Sequence, residues 1–327
     1  KHQPVRAGHS EGLPPSFPPP MTDVSPGILR LLAGLSVAAA AILGTTGCKP
    51  KSDAAGGGGR SSIQTRGSDT MVNLAQGWAE EYKKINKTVD IEVSGGGSGV
   101  GIAALIKGTI DIATSSRDMK AEEKALAKKY TGKDTKEFIV GYDALAIYVH
   151  KDNPLTEITN EQLTAIFAEG GKITRWSDLG VKLPSGQDQI VRISRQSSSG
   201  TYEFFREHVL EKKDFKLGSR DMNGSKEVVE LVATTPSSIG YSGLGYNEPG
   251  KVKMLKVAAK AGQRPVAPSI EATLSKDYPI ARALLLYTLG EPTGAVKEYL
   301  HWIMSDPGQA VVERTGYVPL PASARAK

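Results

Sequence analysis

The sequence predicts an α/β fold with largely parallel sheets, and three observations carry that reading. Short β-branched runs alternate with amphipathic segments along most of the chain, as in strand–helix–strand units. Several strand-to-helix joints are loops of Gly, Ser and Thr, such as GSDT, GGGSGVG and QSSSGT. No self-similarity at solenoid spacing interrupts this pattern.

Taken in order, Ile63–Arg66 reads as a strand, followed by GSDT and a helix from Thr70 to Ile85. Leu74, Trp78, Tyr82 and Ile85 recur at helical spacing and give that helix one apolar stripe. Asp90–Val93 is a strand, and after SGGGSGVG a short helix carries Leu105 and Ile106 and stops at Gly108. The strand IDIAT, the loop SSRDM, a charged helix over Ala121–Tyr130 and a β-rich run over Phe138–His150 follow. Thr159 and Gln162 form a capping box ahead of Leu163, Ile166 and Phe167. The strand IVRIS enters QSSSGT, which opens a helix from Tyr202 to Glu211. A helix over Lys226–Ala233, strands at Ile239–Tyr241 and Val252–Val257, and helices at Ile280–Thr288 and Ala295–Met304 complete the expectation.

The length of 327 residues suits two domains, and 39% apolar with 23% charged residues allows a packed core. The formal charge of +6 is scattered over the chain, and aromatics make up 6%. Nucleic-acid binding calls for a concentrated basic stripe with interleaved aromatics, so that class is excluded. The lone cysteine, Cys48, rules out an intrachain disulfide framework. It closes the apolar run after Arg30, in AGLSVAAAAILGTTGC, which is too short for a membrane span and reads as a secretory signal. The small-small-Cys ending resembles a bacterial lipobox, with Thr45 where leucine is usual, and implies lipid attachment at Cys48. The expected plan is therefore an extension and signal/lipobox segment over 1–48, whose Pro-rich start precedes Met21, and a flexible linker over 49–62. An exported protein of the periplasm or cell envelope follows, anchored through Cys48 by the lipobox reading; the alternative is a plain cleaved signal with an incidental cysteine, and export follows from either.

The loops carry the chemistry. The first backbone N–H groups of a helix lack intrahelical partners and sit at the positive end of its dipole. Glycine lets the backbone close on a ligand, and Ser and Thr hydroxyls add donors, so such a joint can hold a tetrahedral oxyanion. A single loop of this kind is more often an ordinary cap. Three on separate strand–helix units, all at the carboxyl ends of strands, favour convergence on one anion. None has the spacing of a P-loop or a dinucleotide fingerprint. Arg195, four residues before Ser199, can grip two oxygens of one anion, and Arg117, just after Ser115 and Ser116, is a second candidate.

Beyond these motifs, Ile63 to Pro321 resembles the phosphate-binding receptors of bacterial phosphate ABC transporters, in the periplasmic-binding-protein superfamily. The stretches GSDTMVNLAQGWAEEY, GGGSGVGIAALIKGTIDIATSSRDM, LTAIFAEGGKITRWSDLG, ISRQSSSGTYEFF, SSIGYSGLGY and DPGQAVVERTGYVPLP carry it. The resemblance implies two α/β lobes, each a mostly parallel sheet flanked by helices, with the ligand in the interlobe cleft. Lobe one would be 61–143 plus 283–322, and lobe two 144–282. It implies inorganic phosphate as ligand, held by Thr70 and the N–H of Met71, by Ser98, and by Arg195, Ser199, Gly200 and Thr201. Ser115–Arg117 would complete the site. It further implies membrane permease subunits with their ATPase as partners, no cofactor, no catalysis and a monomer.

Some members of that family place an aspartate in the third loop, where it accepts a proton from bound hydrogen phosphate and so excludes sulfate. The matching position here is Ser116. A carboxylate acceptor would then be Asp69 or Asp143, with Asp143, beside the lobe crossing, the preferred of the two. Receptors for sulfate or molybdate, or for a phosphorylated metabolite, are the nearest alternative, and an envelope sensor that kept the fold is another. A phosphoester hydrolase lacks support, since Ser198 and Ser199 sit in no nucleophile elbow. His150, His208 and His301 form no metal-ligand pattern either.

Overall fold

The computed structural model describes residues 61–326; the signal and lipobox segment with Cys48, and the linker up to residue 60, lie outside the described residues. Strand β1 (Ser61–Gly67) leads through a 3-10 turn at Asp69–Met71 into helix α1 (Val72–Ile85). Next come β2 (Val89–Ser94), α2 (Ser98–Ile106), β3 (Ile112–Ser115), α3 (Ala121–Thr131) and the 16-residue β4 (Thr135–His150). They are followed by β5 (Glu157–Thr159), α4 (Asn160–Phe167), β6 (Val191–Arg195), α5 (Gly200–His208), β7 (Arg220–Met222), α6 (Ser225–Thr234) and β8 (Ser238–Gly243). The last elements are β9 (Val252–Met254), β10 (Lys256–Ala258), α7 (Ile270–Leu274), β11 (Ala281–Leu289), α8 (Gly294–Met304) and α9 (Asp306–Arg314).

The fold is mixed α/β. One sheet runs in the order β2-β1-β3-β11-β4-β8-β6-β7, with β9 also on β4, and β10 pairs β5 separately. The β10–β5 pair is parallel, and within the large sheet parallel pairing is confined to the flanks, where β1 joins β2 and β3, and β6 joins β7 and β8. The centre is antiparallel, β11 against β3 and β4, and β4 against β8. The expectation of largely parallel sheets is corrected accordingly. The cause is β4, which pairs with β11 over Thr135–Ala144 and with β8 over Leu145–Val149. Following the strand directions through these pairs, the two parallel blocks point in opposite senses. The carboxyl ends of β1 and β3 therefore face the carboxyl end of β6 across the middle of β4.

The largest departure from the sequence reading is β11, expected as a helix at Ile280–Thr288. Its residues ALLLYT are almost all buried, so the run is apolar on both faces and carries no period that separates strand from helix. Its backbone is satisfied by two neighbours at once, β3 and β4. The run Val252–Val257 breaks at Leu255 into β9 and β10. Helix α9 was not anticipated, although its Pro in the first turn is a recognised start signal. The capping box of α4 forms as expected: Gln162 N–H donates to Thr159 Oγ1 at 3.2 Å, and Thr159 N–H to Gln162 Oε1 at 2.9 Å.

Helix α1 buries Leu74, Trp78 and Tyr82, while Ile85, at the last turn, is 66% exposed. The stripe thus ends one turn early, where the chain turns at Asn86 toward β2. Tyr82 packs on Tyr299 of α8 with ring centroids 4.9 Å apart, and Trp78 Nε1 donates to Gly308 O of α9 at 2.8 Å. A second core gathers Phe167, Trp176, Phe205 and Tyr241 beside β6 and β8. Trp78→Ala removes a fully buried ring together with its tether to α9, so a loss of about 3–5 kcal/mol is expected in urea unfolding.

Candidate functional site

Each facing strand end delivers a hydroxyl-rich joint to the middle of the sheet. Ser68 and Thr70 follow β1, Ser98 opens α2 after β2, and Ser116 follows β3. From the opposite side, Ser199 caps α5 after β6, and Ser225 opens α6 after β7. With Thr201 these side chains are all buried. Burying so many hydroxyls is costly unless each finds a partner, and the partners here are largely one another.

On one side Ser68 Oγ donates to Ser116 Oγ at 2.8 Å, and Ser116 N–H donates to Ser98 Oγ at 3.1 Å. Across the middle, the Oγ1 atoms of Thr70 and Thr201 lie 2.7 Å apart, and Thr70 Oγ1 is 3.5 Å from Ser225 Oγ. Gly200 sits at the point of closest approach. A Cβ added there would lie 2.8 Å from Ser116 Oγ and closer still to Ser98 Oγ, so only glycine fits. Gly97 is a second such point, with φ +98° and Ser198 O where a Cβ would point. The seam is held outside the cluster as well. Gly99 N–H donates to Ser198 O at 3.0 Å, and Lys120 Nζ pairs with Glu203 Oε1 at 2.7 Å.

Two guanidinium groups flank the hydroxyls. Arg195, at the end of β6, has a side chain with no exposed surface. It donates through Nη1 to Ser225 Oγ (2.9 Å) and through Nη2 to Asp69 Oδ2 (3.0 Å) and Asn223 O (2.9 Å). Nε reaches Met222 O at 3.3 Å, so four of its five N–H groups are engaged and one on Nη1 remains for a ligand. Burial lowers this guanidinium from its ordinary value, and the Asp69 carboxylate works against the shift. Arg282 on β11 stands directly opposite Asp143 on β4. Its Nη2 and Nε donate to Asp143 Oδ2 at 2.8 and 3.1 Å, and its Nη1 donates to Ser116 O at 3.1 Å. Nη2 also reaches Thr201 Oγ1 at 3.0 Å and Thr70 Oγ1 at 3.3 Å.

Thr70, Ser98, Ser116, Arg195, Ser199, Gly200 and Thr201 are thus brought together. Ser199 Oγ is itself an N-cap, accepting from the N–H of Thr201 and Tyr202. Met71 lies at the same joint, but its N–H donates to Ser68 O at 2.9 Å and its side chain is in the core. Arg117 is not drawn into the cluster. Its Nη1 and Nη2 grip Glu123 of α3 at 2.8 and 2.7 Å. Burial alone would lower the Arg117 guanidinium, and the Glu123 bonds outweigh it, leaving it above its ordinary value. Neither carboxylate weighed as a proton acceptor is uncommitted. Asp69 accepts from Gly96 N–H (2.7 Å) and Arg195, and Asp143 from Arg282 and from Leu244 N–H (3.0 Å). Burial pushes the Asp143 carboxyl up from its ordinary value, against the pull of Arg282.

Ser225 and Arg282 escaped the sequence reading, and Ser68 lay in the GSDT joint without being singled out. Ser225 follows Gly224 at a helix start, the same signal as the other joints in a weaker form. Arg282 is a lone cation inside the apolar run Tyr278–Leu289, which marks it as buried and paired. What the arrangement can do is bind an anion: four helix starts and two arginines converge on it, with only two carboxylates as counter-charge.

The chain has clear relatives among known proteins. Residues 52–307 match the model of a PBP superfamily domain. The phosphate-binding protein PstS of Pseudomonas aeruginosa is 37% identical over 317 residues, covering 91% of this chain and 97% of that protein. PstS of Bacillus subtilis is 32% identical over 299 residues, covering 90% and 93%. Among solved structures, a phosphate ABC transporter substrate-binding protein of Clostridium perfringens with bound phosphate superposes with a TM-score of 0.70 at 29% identity, over 80% of this chain and all of that one. By its fold, its strand-end loops and its sequence, the chain belongs to the PstS family of phosphate-binding proteins.

Proposed function

We propose that the protein captures inorganic phosphate outside the cytoplasmic membrane and delivers it to an ABC permease for ATP-driven import, doing no chemistry on it. The observation that carries this reading is the convergence of the α2, α5 and α6 starts and the Asp69–Met71 turn on the buried hydroxyls around Gly200. Its ligands are Thr70, Ser98, Ser116, Arg195, Gly200 and Thr201, with Ser199 holding the α5 start in place. The known binding activity of its relatives and the Clostridium perfringens complex with phosphate support the choice of anion.

The switch of β4 from β11 to β8 after Ala144 supports two lobes, 61–143 plus 283–322 and 144–282, crossed by β4 and β11. Phosphate lies between them, and the lobes hinge shut on it. Delivery to the membrane is through Cys48 as lipid anchor, with the protein acting as a monomer.

Calorimetric titration of the mature chain with phosphate, sulfate and molybdate tests the reading. One tight phosphate site is expected. No heat with phosphate, or molybdate bound more tightly, would overturn it.

A further inference from the structure

Arg117 and Lys120 follow Ser116 on the loop between β3 and α3, and among the described residues neither side chain donates to the hydroxyls around Gly200. Both meet carboxylates instead. Arg117 takes both oxygens of Glu123, at 2.8 and 2.7 Å. Its Nη2 stands beside Gly99, whose N–H donates to Ser198 O across the seam at 3.0 Å. Lys120 Nζ crosses the same seam to Glu203 Oε1 of α5 at 2.7 Å. Glu203 comes two residues after Thr201, so this pair borders the anion site without entering it.

Lys120 is an unusual residue for its place. It is the N-cap of α3, where Ser, Thr, Asp or Asn would satisfy a backbone N–H and where a cation meets the positive end of the helix. By spacing, its local partner is Glu123, three residues on in the first turn of the same helix. Arg117 pre-empts that pairing. With both Glu123 oxygens gripped, and Oε2 also accepting from Lys120 N–H at 2.8 Å, the ammonium is left to extend to the other side. Glu203 is held there both by Lys120 and by the start of α5, in whose first turn it lies. Burial works to lower the Arg117 guanidinium, and the carboxylates of Glu123 and Glu203 together hold it above its ordinary value.

We propose that Lys120 and Glu203 are positioning residues that latch the two lobes over bound phosphate and set its rate of release, with Arg117 keeping Lys120 available by occupying Glu123. The inference rests on the two-lobed phosphate reading above and deepens it. Opening of the lobes separates Lys120 from Glu203 but leaves Arg117–Glu123, which lies within one lobe, intact. The latch therefore acts on the closed form, and its loss falls on dissociation. The two side chains are 37% and 15% exposed, so salt weakens the pair.

The test is stopped-flow measurement of phosphate association and release, at low and high salt, on the wild-type chain, Lys120→Met, Glu203→Gln and the double variant. Unfolding of each is followed without ligand to show that it is folded. Each single variant should release phosphate about fivefold faster, while association changes by less than about twofold. The double variant should release it no faster than either single one, the mark of two groups acting as one pair. Salt should quicken release from the wild type more than from the double variant. Arg117→Gln, which returns Glu123 to Lys120, should also quicken release, and adding it to Glu203→Gln should have no further effect. Effects that fall on association, that add in the double variant, or that leave release unchanged overturn the inference. Absence of phosphate binding by the wild type would instead overturn the functional reading.

Discussion

Arg195→Ala should weaken phosphate binding by roughly two orders of magnitude or more, because the substitution removes a fully buried arginine that keeps one Nη1 N–H for the ligand. A hydrogen bond from a buried guanidinium to an anion is charge-assisted and screened little by solvent. The same change also strands Asp69, whose carboxylate then stands near the anion without its counter-ion and repels it. The two effects add in the same direction. Stability falls as well, since breaking an ion pair at this depth leaves an uncompensated charge. Arg195→Lys separates the contributions. It keeps a positive charge beside Asp69, so the unfolding midpoint should recover more than the affinity does. Wild-type affinity in Arg195→Ala would remove this residue from the site.

Much of this arrangement is readable in the sequence, and the parts that are not share a cause. Thr70, Ser98 and Thr201 are legible because each sits in a Gly/Ser/Thr joint between a β-branched run and an amphipathic one, and both neighbours announce themselves locally. Arg282 is illegible because its own strand is. The run around it is apolar on both faces, and read as a helix it would place Arg282 on an outward turn instead of opposite Asp143. Pairing between β4 and β11 joins residues 139 positions apart, a contact that no local pattern contains. Arg117 fails in the other direction. Its neighbours Ser115 and Ser116 point to the site, while Glu123, in the first turn of α3, captures it at short range. Local competition for a guanidinium is decided by geometry, and sequence proximity to a motif does not reveal it. The same holds for Asp143, which looked like a free acceptor and is the counter-ion of a residue not yet in view.

Gly200→Ala should cost about a hundredfold in phosphate affinity, or roughly 2.7 kcal/mol, by preventing the two sides of the site from meeting. The substitution is informative because its local effect runs the other way. Gly200 is the first residue of α5 and has no left-handed backbone to lose, and alanine is the better helix former by about 1 kcal/mol in a helix interior. The helix itself should therefore tolerate the methyl. What cannot tolerate it is the contact across the seam, where the added carbon meets Ser116 Oγ at 2.8 Å, Ser98 Cβ at 2.9 Å and Ser98 Oγ nearer still. These are buried side chains fixed by Ser68 and by the Ser116 backbone, so they cannot swing aside as a surface chain would. Relief has to come from moving α5 away from α2 and β3. That motion also pulls Thr201 from Thr70 and from Arg282, dismantling the donors on which the anion depends. Scattering with and without phosphate should accordingly show wild-type protein contracting on ligand and Gly200→Ala failing to contract. Near-native affinity in the variant would mean that the close approach at Gly200 is not part of the bound state.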